Sequence, residues 1–287
     1  MVGVIDIGSN SVRLLLSDKG NFVSKTVEIT RLADGLNATK KLNQEAILRT
    51  ATAVASFKNT AINRGASKVF AFATAAVRSA TNGSDFVKEV KKLCGLDVLV
   101  ISGKEEALYG VTGVLKGGDG GVIDIGGASS EVIVVKNGNT EYSYSLDLGV
   151  VRIKDLCGQN LAKIKKVCKD YVTKYGKVPK SKFYGIGGTA TSLASIALQL
   201  EVYDRSKVHG YYLTKEKVKE LVELLNSLSV KDRESLKGLQ PQRAEVMLGG
   251  AVLTLELMDY LCIDGITVSE DDNLEGFLIL NNKYHNG

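Results

Sequence analysis

One segment occurs twice in this chain, and that repetition constrains the fold more than any other feature. Val4-Ile-Asp-Ile-Gly-Ser-Asn-Ser11 is echoed by Val122-Ile-Asp-Ile-Gly-Gly-Ala-Ser129, so Asp6 matches Asp124, Gly8 matches Gly126 and Ser11 matches Ser129. Each copy runs on into an apolar, β-branched stretch, 12–16 and 130–135. Each then reaches a turn signal at the same offset, Gly20-Asn21 and Gly138-Asn139. An apolar run bounded by turn residues reads as a strand, and two such runs around a tight turn read as a hairpin. Each half of the chain is therefore expected to open with a β-hairpin whose first turn carries Asp, Gly and Ser.

Such a turn suits phosphate. Glycine lets the backbone come close to a ligand and adopt positive φ, so that consecutive N–H groups converge on an anion. Ser and Asn side chains add neutral donors. Asp6 and Asp124 would repel a bare phosphate and make better sense as ligands of a metal or of water, because Mg²⁺ takes oxygen ligands and keeps several waters. Two ordinary hairpin turns held by Asx-type hydrogen bonds are the alternative, and the repetition favours paired phosphate loops.

The rest of the chain alternates strands and helices. Helices are expected over 43–64, 84–93, 104–115 and 243–261, and strands over 68–74, 97–101 and 266–268. A further glycine turn, Tyr184-Gly-Ile-Gly-Gly-Thr-Ala-Thr191, precedes an apolar small-residue helix over 192–200. It fits a loose dinucleotide-binding pattern, but it lies mid-chain with no second βαβ unit after it. No GxxxxGK[ST] motif occurs. A β-first plan used twice gives two α/β domains facing across a cleft, 1–119 and 120–272, with 273–287 packing back on the first. The apolar stretch 247–263 is interrupted by Glu256 and Asp259 and reads as a buried helix, not a membrane span. With no leader pattern at its start, the chain is expected to be cytoplasmic, with no membrane partner.

Charge narrows the chemistry. The net charge of +5 fits an anionic ligand, and 163–182 holds eight lysines against the single acid Asp170. That run is either a solvated face or a track for a phosphate chain. Two histidines, His209 and His285, leave acid–base chemistry to carboxylates. Four scattered cysteines are expected to be free, buried thiols. In Val100-Ile-Ser-Gly-Lys-Glu-Glu-Ala107, Ser102 and Glu105 fit a capping box, and Glu106 either faces the cleft as a general base for water or only favours the helix dipole from the first turn. Glu131 follows the second turn, where it serves either the turn or a cross-strand salt bridge. Arg78 lies just after an apolar strand, as a phosphate fork or a surface ion pair.

Assembled, these segments resemble the exopolyphosphatase/guanosine pentaphosphate phosphohydrolase family nearly end to end. The resemblance is carried by DIGSNS at 6–11, ATAAVRSA at 73–80, VISGKEEA at 100–107, DIGGASSE at 124–131 and LDLGVVRI at 146–153. GIGGTATSLA at 185–194, VHGYYLT at 208–214 and LQPQRAEVMLGGA at 239–251 continue it. It implies two ribonuclease H-like domains of the actin-like ATPase superfamily and an exopolyphosphatase-type hydrolase acting on polyphosphate or guanosine pentaphosphate, with no nucleic acid polymer as partner. It further implies that Glu106 activates water and that Asp124 and Glu131 hold Mg²⁺ or another divalent cation. Gly126, Gly127 and Ser129 would cradle phosphate, as would Asp6, Ser9, Asn10 and Ser11, while Arg78 grips the phosphate chain.

Two departures stand out. Ala128 and Ser130 replace the family's usual Gly and Thr, and a methyl at Ala128 is expected to reshape a loop needing positive φ. The stretch 268–276 is more acidic than the family's arginine-bearing version, which weakens any role there. Longer relatives carry a further helical domain, whereas 11 residues follow Gly276 here, so a two-domain core is expected. A kinase of the same superfamily and a non-catalytic polyphosphate or alarmone sensor are the rival readings. The glutamate at a helix start and the three carboxylates speak for hydrolysis.

Overall fold

The two hairpins form, and their strands pair in matching register. In a computed structural model that describes residues 1–281, β1 (Val2–Ile7) runs antiparallel to β2 (Ser11–Asp18), which pairs with β3 (Asn21–Ile29). The central residues of the second turn, Lys19 and Gly20, both have positive φ (50° and 85°). This conformation matches the right-handed twist of the flanking strands. Asn21, expected in the turn, is instead the first residue of β3.

After β3 come the short α1 (Leu36–Thr39) and the long α2 (Gln44–Asn63), whose N-cap Asn43 accepts a hydrogen bond from the Glu45 N–H. Ala46, Ile47, Thr50, Val54, Phe57 and Ala61 of α2 are buried at helical spacing. Then follow β4 (Lys68–Ala73), α3 (Ala75–Ser79), α4 (Gly83–Cys94), β5 (Val98–Val100) and α5 (Gly103–Leu115). The sheet order is β3-β2-β1-β4-β5, with β4 and β5 parallel to β1. The carboxyl ends of three parallel strands therefore share one edge, where open α/β sheets bind ligands.

The second sheet repeats the plan. Its strands are β6 (Gly120–Ile125), β7 (Ser130–Lys136), β8 (Asn139–Leu146), β9 (Phe183–Ile186), β10 (Tyr212–Thr214) and β11 (Gly265–Val268). Their order is β8-β7-β6-β9-β11-β10, which is the first sheet's order with one antiparallel strand added at the edge. Three-residue β10 is too short for any sequence period to announce it. Helices α6 (Val150–Cys157), α7 (Leu161–Val172), α8 (Gly187–Ala197), α9 (Arg205–Val208), α10 (Lys215–Ser227) and α11 (Val230–Arg233) lie between the strands, and α12 (Ala244–Tyr260) precedes β11. Helix α8 starts at Gly187, five residues before the sequence expectation. The glycine turn is thus the helix's first turn.

Two compact units result, 1–113 with the described residues from 273 to 281, and 114–272. The division falls inside α5. Each unit carries a mixed sheet of the ribonuclease H-like kind that the resemblance implies. No helix among the described residues is long and apolar enough to cross a membrane. Residues 282–287, including His285, lie outside the described residues. The cysteines are free, but only Cys157 and Cys168 are buried; Cys94 is half-buried, and Cys262 is exposed in the turn that ends α12.

The final helix, α13 (Asn273–Leu280), belongs to the first unit's core, where Leu274, Phe277 and Leu278 join Val4, Leu15, Phe72 and Tyr109. The Phe277 ring stacks on Phe72 at 5.5 Å and meets Tyr109 edge-on at 5.5 Å. Gly276 permits this approach, since a Cβ there would lie 1.8 Å from the Tyr109 carbonyl oxygen. A Gly276→Ala variant is expected to lose about 3 kcal/mol, the upper range for overpacking a core against backbone. Urea denaturation would show this as a lower midpoint at unchanged slope.

Candidate active site

The two hairpin turns are built alike down to their hydrogen bonds. In the first, the Gly8 N–H donates to Ser11 O (2.9 Å); in the second, the Gly126 N–H donates to Ser129 O (3.0 Å). The Ser9 carbonyl accepts from the Ala33 N–H, and its counterpart Gly127 accepts from the Val151 N–H. Because a trans peptide directs its C=O and N–H oppositely, anchoring these carbonyls turns the following N–H groups the other way. This is the arrangement an anion needs. The expected backbone reason for glycine is corrected, however: Gly8, Gly126 and Gly127 do not have positive φ. Glycine serves close packing instead, since a Cβ on Gly8 would lie 3.1 Å from Ser11 O. For the same reason Ala128 fits its loop without strain and is buried.

The first unit gathers four charged side chains at the carboxyl edge of β1, β4 and β5. Asp6, one residue before the end of β1, accepts a hydrogen bond from Arg13, its register partner on β2. Arg78 donates to Ile101 O (2.8 Å) and to Glu106 Oε2 (3.1 Å). Glu106 is 8% exposed. Burial pushes its carboxyl above the usual range, Arg78 opposes this, the nearby Asp6 charge adds to it and Arg13 opposes again. Glu105 caps its helix as expected: its carboxylate accepts from the Ser102 N–H (2.8 Å), and its own N–H donates to Ser102 Oγ (3.2 Å). Close by, Ser9 and Asn10 are buried, Ser11 is half-buried, and the Asn10 Nδ2 donor is buried without a partner in the protein. Leaving a buried amide unsatisfied costs on the order of 1–3 kcal/mol, so this donor is a ready contact for a bound anion.

The second unit replaces the Asp–Arg pair with two acids. Asp124 stands directly opposite Glu131 in the β6–β7 register, as Asp6 stands opposite Arg13. The register partner of Glu131 on β6 is thus another carboxylate, and on β8 it is Ser145. Glu131 is 3% exposed and accepts from Ser145 Oγ at 2.6 Å. Asp124 Oδ1 lies 2.6 Å from where a Gly187 Cβ would be, and Gly187 has φ 75°. The third glycine turn thus seats a carboxylate at the start of α8, where the helix dipole favours negative charge. Gly188 beside it leaves room for the Arg243 guanidinium, whose Nη atoms lie 2.3–2.4 Å from a hypothetical Cβ. Ser129 is buried in the turn, and the Tyr175 hydroxyl, kept neutral by burial, donates to Ser130 O (2.8 Å).

The chain matches the model of the Ppx/GppA phosphatase family over residues 15–285. It belongs to that family. Exopolyphosphatase 2 of Mycobacterium tuberculosis is 30% identical, with 97% of each chain covered. A bifunctional 3-dehydroquinate synthase/phosphatase of Fusobacterium nucleatum is 32% identical over 96% of this chain, which spans only 46% of that longer protein. The crystal structure of the Aquifex aeolicus Ppx/GppA family member superposes with a TM-score of 0.79 at 27% identity, covering 100% of this chain and 98% of that one. Membership of the Ppx/GppA family makes the chain a phosphoanhydride hydrolase.

Sequence reasoning left Arg13, Ser145 and Arg243 without roles. For Arg13 the signal was present, since the repeat places it at the position of Glu131. Arg243 lies within a motif with no charged neighbour in sequence, and its place beside Gly188 joins residues far apart in the chain. The acidic stretch after β11 is structural: Glu270 accepts from the Tyr203 hydroxyl, and Asp271 pairs with Arg205 and with Lys116 at 2.9 Å.

Proposed function

We propose that this protein releases terminal orthophosphate from inorganic polyphosphate by attack of a water molecule activated by Glu106. The observation that carries the reading is Glu106 itself: a buried carboxylate with raised proton affinity, held by Arg78 at the ligand-binding edge of the sheet. A base of ordinary carboxylate affinity is a poor proton acceptor near neutral pH, and burial improves the match. Arg78, whose side chain is 30% exposed, fixes the carboxylate and has further N–H groups to offer phosphate oxygens. Asn10 Nδ2, Ser9 and Ser11 supply neutral donors, and the Gly126-Gly127-Ala128-Ser129 turn does so in the second unit. Donors placed at the equatorial oxygens act on the charge of the transferring phosphoryl group. Asp6, joined to Arg13, orients that guanidinium.

Asp124 and Glu131 are the residues that would hold a divalent cation. Two carboxylates opposite each other on paired strands, about 4.5–5.5 Å apart at Cβ, can share one cation between them. Among the described residues no group of three or more His, Cys, Asp or Glu side chains is arranged around a metal position. Two carboxylates with waters suit Mg²⁺, whereas zinc needs a fuller set of protein ligands. When bound, the cation would neutralise charge on the phosphate oxygens.

Polyphosphate is favoured over guanosine pentaphosphate by the match to an exopolyphosphatase over 97% of each chain. Phosphate release from long polyphosphate, short polyphosphate and pppGpp, measured side by side with Mg²⁺, tests the choice. Long polyphosphate should give the largest kcat/KM. Faster turnover of pppGpp would make the protein a guanosine pentaphosphate phosphohydrolase, and no turnover of any would favour a binding protein.

A further inference from the structure

The eight lysines of 163–182 are all exposed. Lys163, Lys165, Lys166 and Lys169 lie on α7, and the other four follow on the segment leading to β9. None has an ion-pair partner within 4.0 Å among the described residues. The contrast with other lysine-bearing helices is sharp. On α4, Lys88 and Lys92 pair with Asp85 and Glu89, and on α10, Lys217 and Lys219 pair with Glu220 and Glu216. An ordinary solvated helix face mixes signs in this way. On α7 the neighbours at spacings of three and four, Lys163 with Lys166, Lys166 with Lys169 and Lys165 with Lys169, are like charges, each a destabilising pair. The one acid of the run, Asp170, is exposed and forms no ion pair with them. The opposite face of α7 is conventional, with Ile164, Cys168 and Val172 buried. Further along, Lys174 Nζ sits 3.7 Å over the Tyr171 ring, which orients that ammonium without neutralising it.

We propose that this face of the second unit is a binding surface for the internal phosphates of a polyphosphate chain, separate from the residues that act on its terminal phosphate. The proposal rests on the polyphosphate reading given above. Each exposed ammonium–phosphate contact is weak, about 0.2–1 kcal/mol. A polymer with one charge per repeat engages many at once, so the contacts multiply through effective concentration. A polyanion also relieves the repulsion along α7. Short phosphates gain neither effect.

The experiment uses the full chain with Lys163, Lys165, Lys166 and Lys169 replaced by Gln. A control carries Lys215→Gln, Lys217→Gln and Lys219→Gln on α10. Binding of end-labelled long polyphosphate is read by fluorescence anisotropy in excess chelator, and phosphate release from long polyphosphate and from tripolyphosphate is read with Mg²⁺. The α7 variant should bind long polyphosphate ~10-fold or more weakly and show a KM raised by a similar factor. Its KM for tripolyphosphate should change by less than about twofold, and its difference from wild type should vanish by about 0.5 M salt. The control should match wild type. Unchanged binding and KM in the α7 variant, or equal loss in the control, overturns the proposal. So does single-stranded DNA competing as well as polyphosphate of equal charge, which would mark a general nucleic-acid surface. If polyphosphate binds through these lysines but is not hydrolysed, the binding surface stands and the hydrolytic reading falls.

Discussion

Replacing Glu106 by glutamine is expected to lower kcat for phosphate release by ~10²–10⁴, with KM little changed. Glutamine keeps the shape and can still meet Arg78, but it accepts no proton from water. That loss corresponds to about 2.7–5.5 kcal/mol of transition-state stabilisation. The same substitution should not weaken the fold at neutral pH. Glu106 has a carboxyl whose proton affinity is raised in the folded state, chiefly by burial. Its contribution to stability is therefore full below the unfolded-state pKa and is lost as pH rises through the folded-state value. At neutral pH the wild type bears the cost of a buried charge that the variant avoids, and Arg78 retains its bond to Ile101 O. Thermal unfolding should find the variant at least as stable as wild type near pH 7, with wild type gaining on it as pH falls. Glu105→Gln is the control: it should leave kcat intact and cost on the order of 1 kcal/mol or less through the weakened cap.

Much of this arrangement is legible in the residues alone, because the repeat is a backbone device and backbone devices leave local signatures. Turn glycines, alternating apolar runs and the Ser102–Glu105 cap are set by neighbours in sequence, and all lie where the pattern places them. Boundaries shift where a local rule meets a tertiary one. The expected helix start at Ser192 fails because Gly187 and Gly188 begin α8, their missing side chains making room for Asp124 and Arg243. Glycine content alone suggests positive φ at these turns, yet Gly8 and Gly126 serve close packing against Ser11 O and Ser129 O. Arg78 with Glu106 could not be paired from sequence, since 28 residues separate them and only the parallel β4–β5 register brings them together.

A second large effect is expected from Glu131→Arg, which rebuilds in the second hairpin the pairing of the first. Arg opposite Asp124 would reproduce the Asp6–Arg13 arrangement and supply the positive charge that a cation otherwise brings. Phosphate release should fall by ~10³ or more, because the variant lacks one of the two carboxylates that would hold the cation. Added Mg²⁺ should raise the thermal midpoint of wild type, as any ligand of the native state does, and leave that of the variant unmoved. The variant gains an ion pair opposite Asp124 but loses the hydrogen bond that Glu131 accepts from Ser145. Glu131→Gln separates charge from size: it should lose the Mg²⁺ response in part and show no gain in activity. A variant that keeps both its activity and its thermal response to Mg²⁺ would remove Glu131 from the cation site.

The most direct measurement is the pH dependence of phosphate release from long polyphosphate, with Mg²⁺ present, for wild type and Glu106→Gln. Protonating the base abolishes its function, so the wild-type kcat/KM should fall on the acid side. The midpoint of that fall should lie above the ordinary glutamate range, in keeping with the direction of the shift at Glu106. In the variant this limb should disappear and leave a low rate that is flat through the same interval. An identical acid limb in both proteins, or a variant that turns over polyphosphate at the wild-type rate, would contradict the assignment of Glu106 as the base.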